Sequence, residues 1–460
     1  MVALIVMTKE KYMGKLNKDS FSKINPNAAG IDVGGEFHFV AIPEQCDEKP
    51  VRQFASFTRD LNQLADWLSE NGITTVAMES TSVYWIPIYE ILEARGFEVL
   101  LVNARHVKTV PGRKSDVLDC QWLQQLHTFG LLRASFRPED AICQLRAYMR
   151  QRESLIQYAS SHIQHMQKAL VQMNVQLSNV VSDITGVTGL KIIRAIVEGE
   201  RRPNILASHR DGRCKKSREE IEQSLYGNYR DEHLFNLRQA LELYDIYQTK
   251  LAECDSEIEH KLKQLSADKE DSFTSTPPQS RRKRRKNELH FDARMRLKQL
   301  IGVDLTKIDG LDAHSALKLV AEIGTNIDKW PNAKHFGSWL GLSPGAKISG
   351  GKVLSSRTKP SSNRAATTLR VAASTLHHSQ SALGAYYRRQ KSRLGAPKAM
   401  TATAYKIARL VYTMMKKGED YVDAGQDYYE KQYKKRIISN IRKKLQQFGY
   451  ELTPMEINTG

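Results

Sequence analysis

The sequence is poor in cysteine, with five in 460 residues (Cys46, Cys120, Cys143, Cys214 and Cys254), and none stands in CxxC or Cys/His spacing. That pattern excludes a disulfide framework and a cysteine-based zinc site, and it suits a reducing, intracellular compartment. Long apolar runs are missing too. Nothing approaches the roughly 18 residues needed to span a bilayer. The opening MVALIVM has no basic region ahead of it and runs into TKEKYMGKLNKDS, so it does not read as a signal peptide. No membrane partner is expected. A third absence is local: from Pro331 to Lys417 there is no Asp or Glu at all, against 16 Lys and Arg. A merely solvated surface mixes signs, so this stretch reads as a polyanion-binding face.

The bulk charge agrees. A formal net charge of +18 and a pI near 9.5 point to nucleic acid, the commonest polyanionic partner. The length allows two or three domains. Between Ala29 and Gly130 the hydrophobic period alternates between two and 3.6. Ala29 to Val33, Glu36 to Ile42 and Val51 to Phe57 read as an antiparallel meander. A helix carrying Leu61, Leu64, Trp67 and Leu68 follows, then a strand from Thr74 to Met78, a helix from Tyr84 to Ala94, a strand from Glu98 to Val102 and a helix from Val117 to Leu126. The order is βββαβαβα, an α/β sheet of mixed direction.

From Ile142 the pattern becomes a heptad: Ile142, Leu145, Met149, Arg152, Ile156, Ala159, Ile163, Met166, Leu170, Met173, Leu177 and Val180. A second series runs Leu234, Leu237, Leu241, Tyr244, Gln248, Leu251, Asp255, Ile258, Leu262 and Leu265. Arg152, Gln248 and Asp255 are polar core positions of the kind that fix register or partner. The two helices can pair within one chain or between chains. Ile184 to Leu190 reads as a glycine hairpin between short helices. Residues 270–290 combine Pro, Ser and Thr with the run Arg281, Arg282, Lys283, Arg284, Arg285, Lys286, which reads as a linker and phosphate-contacting arm.

Four acids stand at telling places: Asp32 in the first strand, Glu79 ending the fourth, and Asp116 with Asp119 at the mouth of the third helix. Singly, each reads as a cap or surface charge. Together, at strand ends and one helix start, they make a set of hard oxygen ligands of the kind Mg²⁺ requires, provided the first and fourth strands are neighbours. Two such ions about 4 Å apart support in-line displacement at phosphorus.

GIDVG, AMES and GRKSDVLD in that strand order resemble the RuvC-like domain of the Piv-type DNA invertases and the related DEDD insertion-sequence transposases, some of which are bridge-RNA-guided recombinases. The resemblance covers most of residues 25–135, the region around 181–210, and 295–417. The heptads make a coiled-coil region with an inserted hairpin over 136–268, and composition marks a basic linker over 269–292 and a basic tail over 421–460, both additions to the pattern of compact relatives. The resemblance itself implies an RNase-H-like catalytic domain over 25–135 and an all-α transposase domain over 293–420. It also implies that Asp32, Glu79, Asp116 and Asp119 bind Mg²⁺.

Ile308-Asp309-Gly310-Leu311 ahead of a helix from Ala313 to Ile323 resembles a helix-hairpin-helix, in which backbone N–H groups near Gly310 approach a phosphate. In the loop Gly341 to Lys352, Ser-Gly-Gly alone reads as a turn. By resemblance Ser349 is the nucleophile that becomes joined to DNA, with Ser343, Ser355 and Ser356 as alternatives that do not match. Lys347, Lys352, Arg357, Lys359 and Arg364 are the expected nucleic-acid contacts around it. The implied function is an insertion-sequence transposase acting through a phosphoserine intermediate on double-stranded DNA, with a structured noncoding guide RNA. It would act as a homo-oligomer, dimer or tetramer, in the nucleoid of a prokaryotic cytoplasm. The competing readings are a Holliday-junction-type nuclease using water with the same acids, and a non-catalytic nucleic-acid scaffold.

Overall fold

Alternation along short strands sets the first part of the structure, a computed structural model that describes residues 22–80, 82–103, 116–267, 286–358 and 360–453. Strands β1 (Ala28–Val33), β2 (Phe37–Ala41) and β3 (Val51–Ala55) form the antiparallel meander. Helix α1 (Thr58–Glu70), strand β4 (Thr75–Glu79), helix α2 (Trp85–Ala94), strand β5 (Glu98–Val102) and helix α3 (Asp116–Thr128) follow. The sheet order is β3-β2-β1-β4-β5, with β4 parallel to both β1 and β5. The first and fourth strands are thus neighbours, as convergence of the acids requires.

Side chains alternate across the sheet. Ala29, Ile31 and Val33 on β1 and Val76 and Met78 on β4 enter a core closed by Leu61, Leu64, Trp67 and Leu68 of α1 and Ile88 and Leu92 of α2. Leu64 and Leu68 are fully buried, each contributing about 1.5–3 kcal/mol by leaving water. The other face is covered by α3, which packs chiefly on β1 and to a lesser extent on β2 and β4.

The chain divides into two compact units between Arg137 and Pro138. The second unit is built on α4 (Asp140–Gln172). Four short helices follow, α5 (Leu177–Val180), α6 (Val187–Val197), α7 (Pro203–Ser208) and α8 (Arg218–Ser224), and then the long α9 (Asp231–Ser266). Helices α4 and α9 pair antiparallel within the chain. Their heptad positions Met166, Leu170, Leu237 and Leu241 share a core with Ile192, Ile193 and Ile196 of α6 and with Leu206 and Ile221 from the other short helices.

The first heptad series does not run as one helix to Val180. Asn174, with φ of +55°, ends α4, and Leu177 begins a separate turn. Asn tolerates this left-handed backbone better than most side chains and stops helices in the manner of glycine. At mid-pair, Arg152 and Asp255 are both about 1% exposed, and Arg152 Nε donates to Asp255 Oδ1 at 2.5 Å. Arg152 Nη2 also donates to the carbonyl of Asn287 at 3.0 Å, and the His290 N–H donates to Asp255 Oδ2 at 3.1 Å. Of the three polar heptad positions, Arg152 and Asp255 therefore meet each other, and they clasp the chain at Asn287 and His290, just after the basic run that ends at Lys286.

Helices α10 (Ala293–Ile301), α11 (Ala313–Ile323) and α12 (Ala333–Trp339) come next, then a hairpin of β6 (Lys347–Ser349) and β7 (Lys352–Ser355). Helices α13 (Arg364–Thr375), α14 (Ala382–Leu394), α15 (Ala396–Lys417) and α16 (Gly425–Gln447) complete the unit. Asp292, Asp312, Asn332, Asn363 and Ser381 each accept a backbone N–H at a helix start, which is why these polar residues mark the boundaries. Arg146 of α4 donates to the carbonyls of Ala321 and Glu322, tying α11 to the long helix. Among the described residues, no helix is long and apolar enough to cross a membrane.

Candidate functional site

Residues of β1 and β4 that do not enter the α1/α2 core face α3. On β1 these are Ala28, Gly30 and Asp32, and on β4 Thr75, Ala77 and Glu79. Ile31 is level with Met78 in the parallel register, so the next residues, Asp32 and Glu79, stand on adjacent strands and the same face. Asp32 is half-buried and Glu79 buried at 7% exposure. Each takes part in a polar or electrostatic interaction.

Helix α3 can lie this close because Gly30 has no side chain. A Cβ there would stand 2.4 Å from the Cys120 carbonyl oxygen and 2.3 Å from the Gln124 nitrogen. Gln124 Nε2 donates to the Ala28 carbonyl at 3.3 Å, and Thr75 Oγ1 meets His127 Nε2 at 2.8 Å. These contacts fix the helix direction. Its C-terminal end lies over the beginnings of β1 and β4, and its first turn, with Asp116 and Asp119, lies over their ends, where Asp32 and Glu79 are.

Asp119 is half-buried; the side chain of Asp116 lies outside the described set. Asp116 and Asp119 both lie in the first described turn of α3, where an acid is favoured by the N-terminal dipole. Cys120 reports on the local field. Burial first, and then the charges of Asp32 and Asp119, push its thiol up to about 12. Sequence reading missed Cys120 because a lone buried cysteine has no spacing signature.

The donor set is entirely carboxylate oxygen, which fits a hard divalent cation. Among the described residues, however, no three His, Cys, Asp or Glu side chains stand together as a ready-made ligand group. The backbone brings the acids to one end of one face, and that is the extent of the convergence.

The other candidates lie in the second unit. Ser349 is exposed at the end of β6, opposite Lys352, and Gly350 and Gly351 at φ of +54° and +75° make a two-residue turn. Two successive positive φ values select glycine there. Sequence reading had a loop; the hairpin signal it passed over is Ile348 and Val353 alternating on either side of Gly-Gly. Lys352 and Arg357 are exposed. Arg364 bonds Glu153 at 2.9 Å, and Lys318 pairs with the same carboxylate, so the structure occupies Arg364 within the fold. Lys286 pairs with Asp183 at 3.1 Å. Lys359, Arg281, Arg282, Lys283, Arg284 and Arg285, and the side chain of Lys347, lie outside the described set.

Gly310 precedes α11 as expected, and its φ is +91°. A Cβ there would lie 2.7 Å from the Ala372 carbonyl oxygen, so packing on α13 is enough to require glycine. In the acid-free stretch from Pro331 to Lys417, Trp339 packs with Trp330, Tyr412 packs with Phe336, and Tyr387 is buried.

Two family comparisons bear on these sites. Residues 29–175 match a transposase family described as DEDD IS110, and residues 304–388 match the transposase IS116/IS110/IS902 family. The chain belongs to the IS110-type DEDD transposases. The first match of this transposase contains all four acids and the second contains Ser349, Lys352, Arg357 and Gly310. Most of the inserted helices, the basic linker and α16 fall outside both. No curated protein matches the chain.

Proposed function

We propose that this transposase cleaves and rejoins DNA through a phosphoserine intermediate, with Asp32, Glu79, Asp116 and Asp119 as the Mg²⁺-holding groups of an RNase-H-like domain and Ser349 as the nucleophile. The observation that carries this reading is the placement of Asp32 and Glu79 on neighbouring parallel strands, beneath the first turn of the helix that bears Asp116 and Asp119. The order β3-β2-β1-β4-β5 supports the fold assignment.

The chemistry balances without an external energy source. Ser349 Oγ attacks a backbone phosphorus, the P–O3′ bond breaks, the serine proton is lost to solvent or base, and the departing oxygen leaves as a 3′ hydroxyl. A seryl phosphate keeps the phosphodiester's energy, so attack by a second 3′ hydroxyl reverses the step and completes exchange. Bound Mg²⁺ would supply charge stabilisation to the phosphoryl oxygens and the leaving oxygen. The protein's contribution is to hold four carboxylates at one end of the sheet and to present Ser349 on an exposed turn.

The acid-free segment supports a sequence-independent grip on duplex DNA and on a structured noncoding RNA that selects the site. The acting species is a homo-oligomer. Because α4 and α9 bury their heptad stripes against each other within one chain, association between copies uses other surfaces. Ser349→Ala tests the reading: covalent protein–DNA adducts and strand exchange are lost while DNA binding is retained. Normal exchange by that variant removes Ser349 from the mechanism, and Mg²⁺-dependent hydrolysis without an adduct favours a junction nuclease.

A further inference from the structure

Cations gather where α14, α15 and α16 meet. Arg389 lies with Cζ 3.5 Å from the Tyr433 ring centroid. Lys406 Nζ sits 4.4 Å from the ring of Tyr386 and 5.1 Å from that of Tyr429. Tyr429 meets Tyr386 edge-on and stacks with Tyr433. Arg409 and Arg436 are exposed beside them. Among the described residues, none of Arg389, Lys406, Arg409 and Arg436 forms an ion pair with a carboxylate. That contrasts with Arg152, Arg146, Arg150 and Arg364 in the same unit, all of which do.

The base of α16 is fixed: Arg388 donates to Gln426 Oε1 at 2.5 Å, and the Gln426 N–H donates to the Gln380 carbonyl at 3.1 Å. Beyond that anchor, residues 431–450 hold seven Lys and Arg and no acid, and no residue of the helix is buried. Burial and the nearby Arg436 and Arg409 depress the Lys406 ammonium, with Asp423 the one acid acting against them. Like charges held this close raise the energy of the free protein, and a polyanion laid across them lowers it.

We propose that this face is a DNA-duplex backbone-binding surface, built from residues other than the carboxylates and the Ser349 hairpin, in which Arg389, Lys406, Arg409 and Arg436 contact phosphates. The tyrosine faces are covered by cations and so are not open platforms for unstacked bases. That favours backbone contact over single-strand stacking, and the DNA that a transposase processes is the duplex at hand. The inference does not depend on the serine or the metal.

The test uses the full chain with EDTA present, binding a fluorescent 30-base-pair duplex of arbitrary sequence across a range of salt concentrations. Each phosphate contact contributes about 0.9 to the slope of log affinity against log salt. Arg409→Gln with Arg436→Gln should flatten the slope by about two and weaken binding roughly tenfold or more at low salt. Arg409→Lys with Arg436→Lys should keep the slope. Both arginines are exposed, so the fold does not rest on them. An unchanged slope in the glutamine variant overturns the proposal, as does equal loss in the lysine variant, or loss seen with an RNA duplex and not with DNA.

Discussion

Asp32, Glu79 and Asp119 belong to a sheet and helix in direct backbone contact at Gly30, whereas Ser349 stands on an open hairpin whose turn glycines have free space where a side chain would be. The contrast matches two chemical tasks. Ligand oxygens must be held within a fraction of an ångström, and rigid elements do this best. An attacking hydroxyl must reach into a DNA backbone, and an exposed turn allows that. In the proposed mechanism, acids carried on packed elements and a serine carried on an exposed turn divide positioning from delivery.

The largest expected effect breaks the first half of that comparison. Asp119→Asn keeps the shape of α3 but removes the charge of a proposed ligand, and Mg²⁺-dependent strand cleavage should fall on the order of 10³-fold. Unchanged turnover in a gel-based cleavage assay would take the metal site out of the account. Next in size is the clasp of the second unit. Arg152→Ala leaves Asp255 buried without its guanidinium and should destabilise the protein by about 3–5 kcal/mol, whereas Arg152→Met with Asp255→Leu should come close to neutral. Thermal melting of the three proteins distinguishes a buried pair from a dispensable surface one.

The smallest effect is one of pH. Burial, and then Arg152 and Lys318, lower the His314 imidazole to about 4. Its folded value lies below its unfolded value near 6.5, so between these two the unfolded chain binds more protons. The His314 contribution is therefore fully present above about 6.5 and is lost as pH falls toward about 4. His314→Gln should reduce the decline in melting temperature across that window; an identical decline would assign it to other groups.

Much of the first unit was legible because period and length coincide there: among the described residues, each strand and helix from Ala28 to Thr128 falls within a few residues of its expected place. The placing of the acids at strand ends was legible for the same reason. What α3 sits upon was not, since the need for Gly30 arises from Cys120 and Gln124, some 90 residues away. The heptads identified both long helices and flagged Arg152 and Asp255 as polar core positions. Periodicity carries no information on partner, so it left open that these two residues pair with each other. The end of α4 at Asn174 was hidden because Leu177 and Val180 continue the count across a turn. Helix α16 went unread because its apolar spacing, Ile437, Ile441 and Leu445, is diluted by lysine.

The most direct test is to map the protein–DNA adduct. Protein incubated with end-labelled DNA and Mg²⁺ is digested, and the phosphorylated peptide is sequenced by mass spectrometry. The account predicts phosphate on Ser349, present with Mg²⁺ and absent with EDTA or in Asp119→Asn. Phosphate on Ser343, Ser355 or Ser356, or an adduct that forms without the carboxylates, would contradict it.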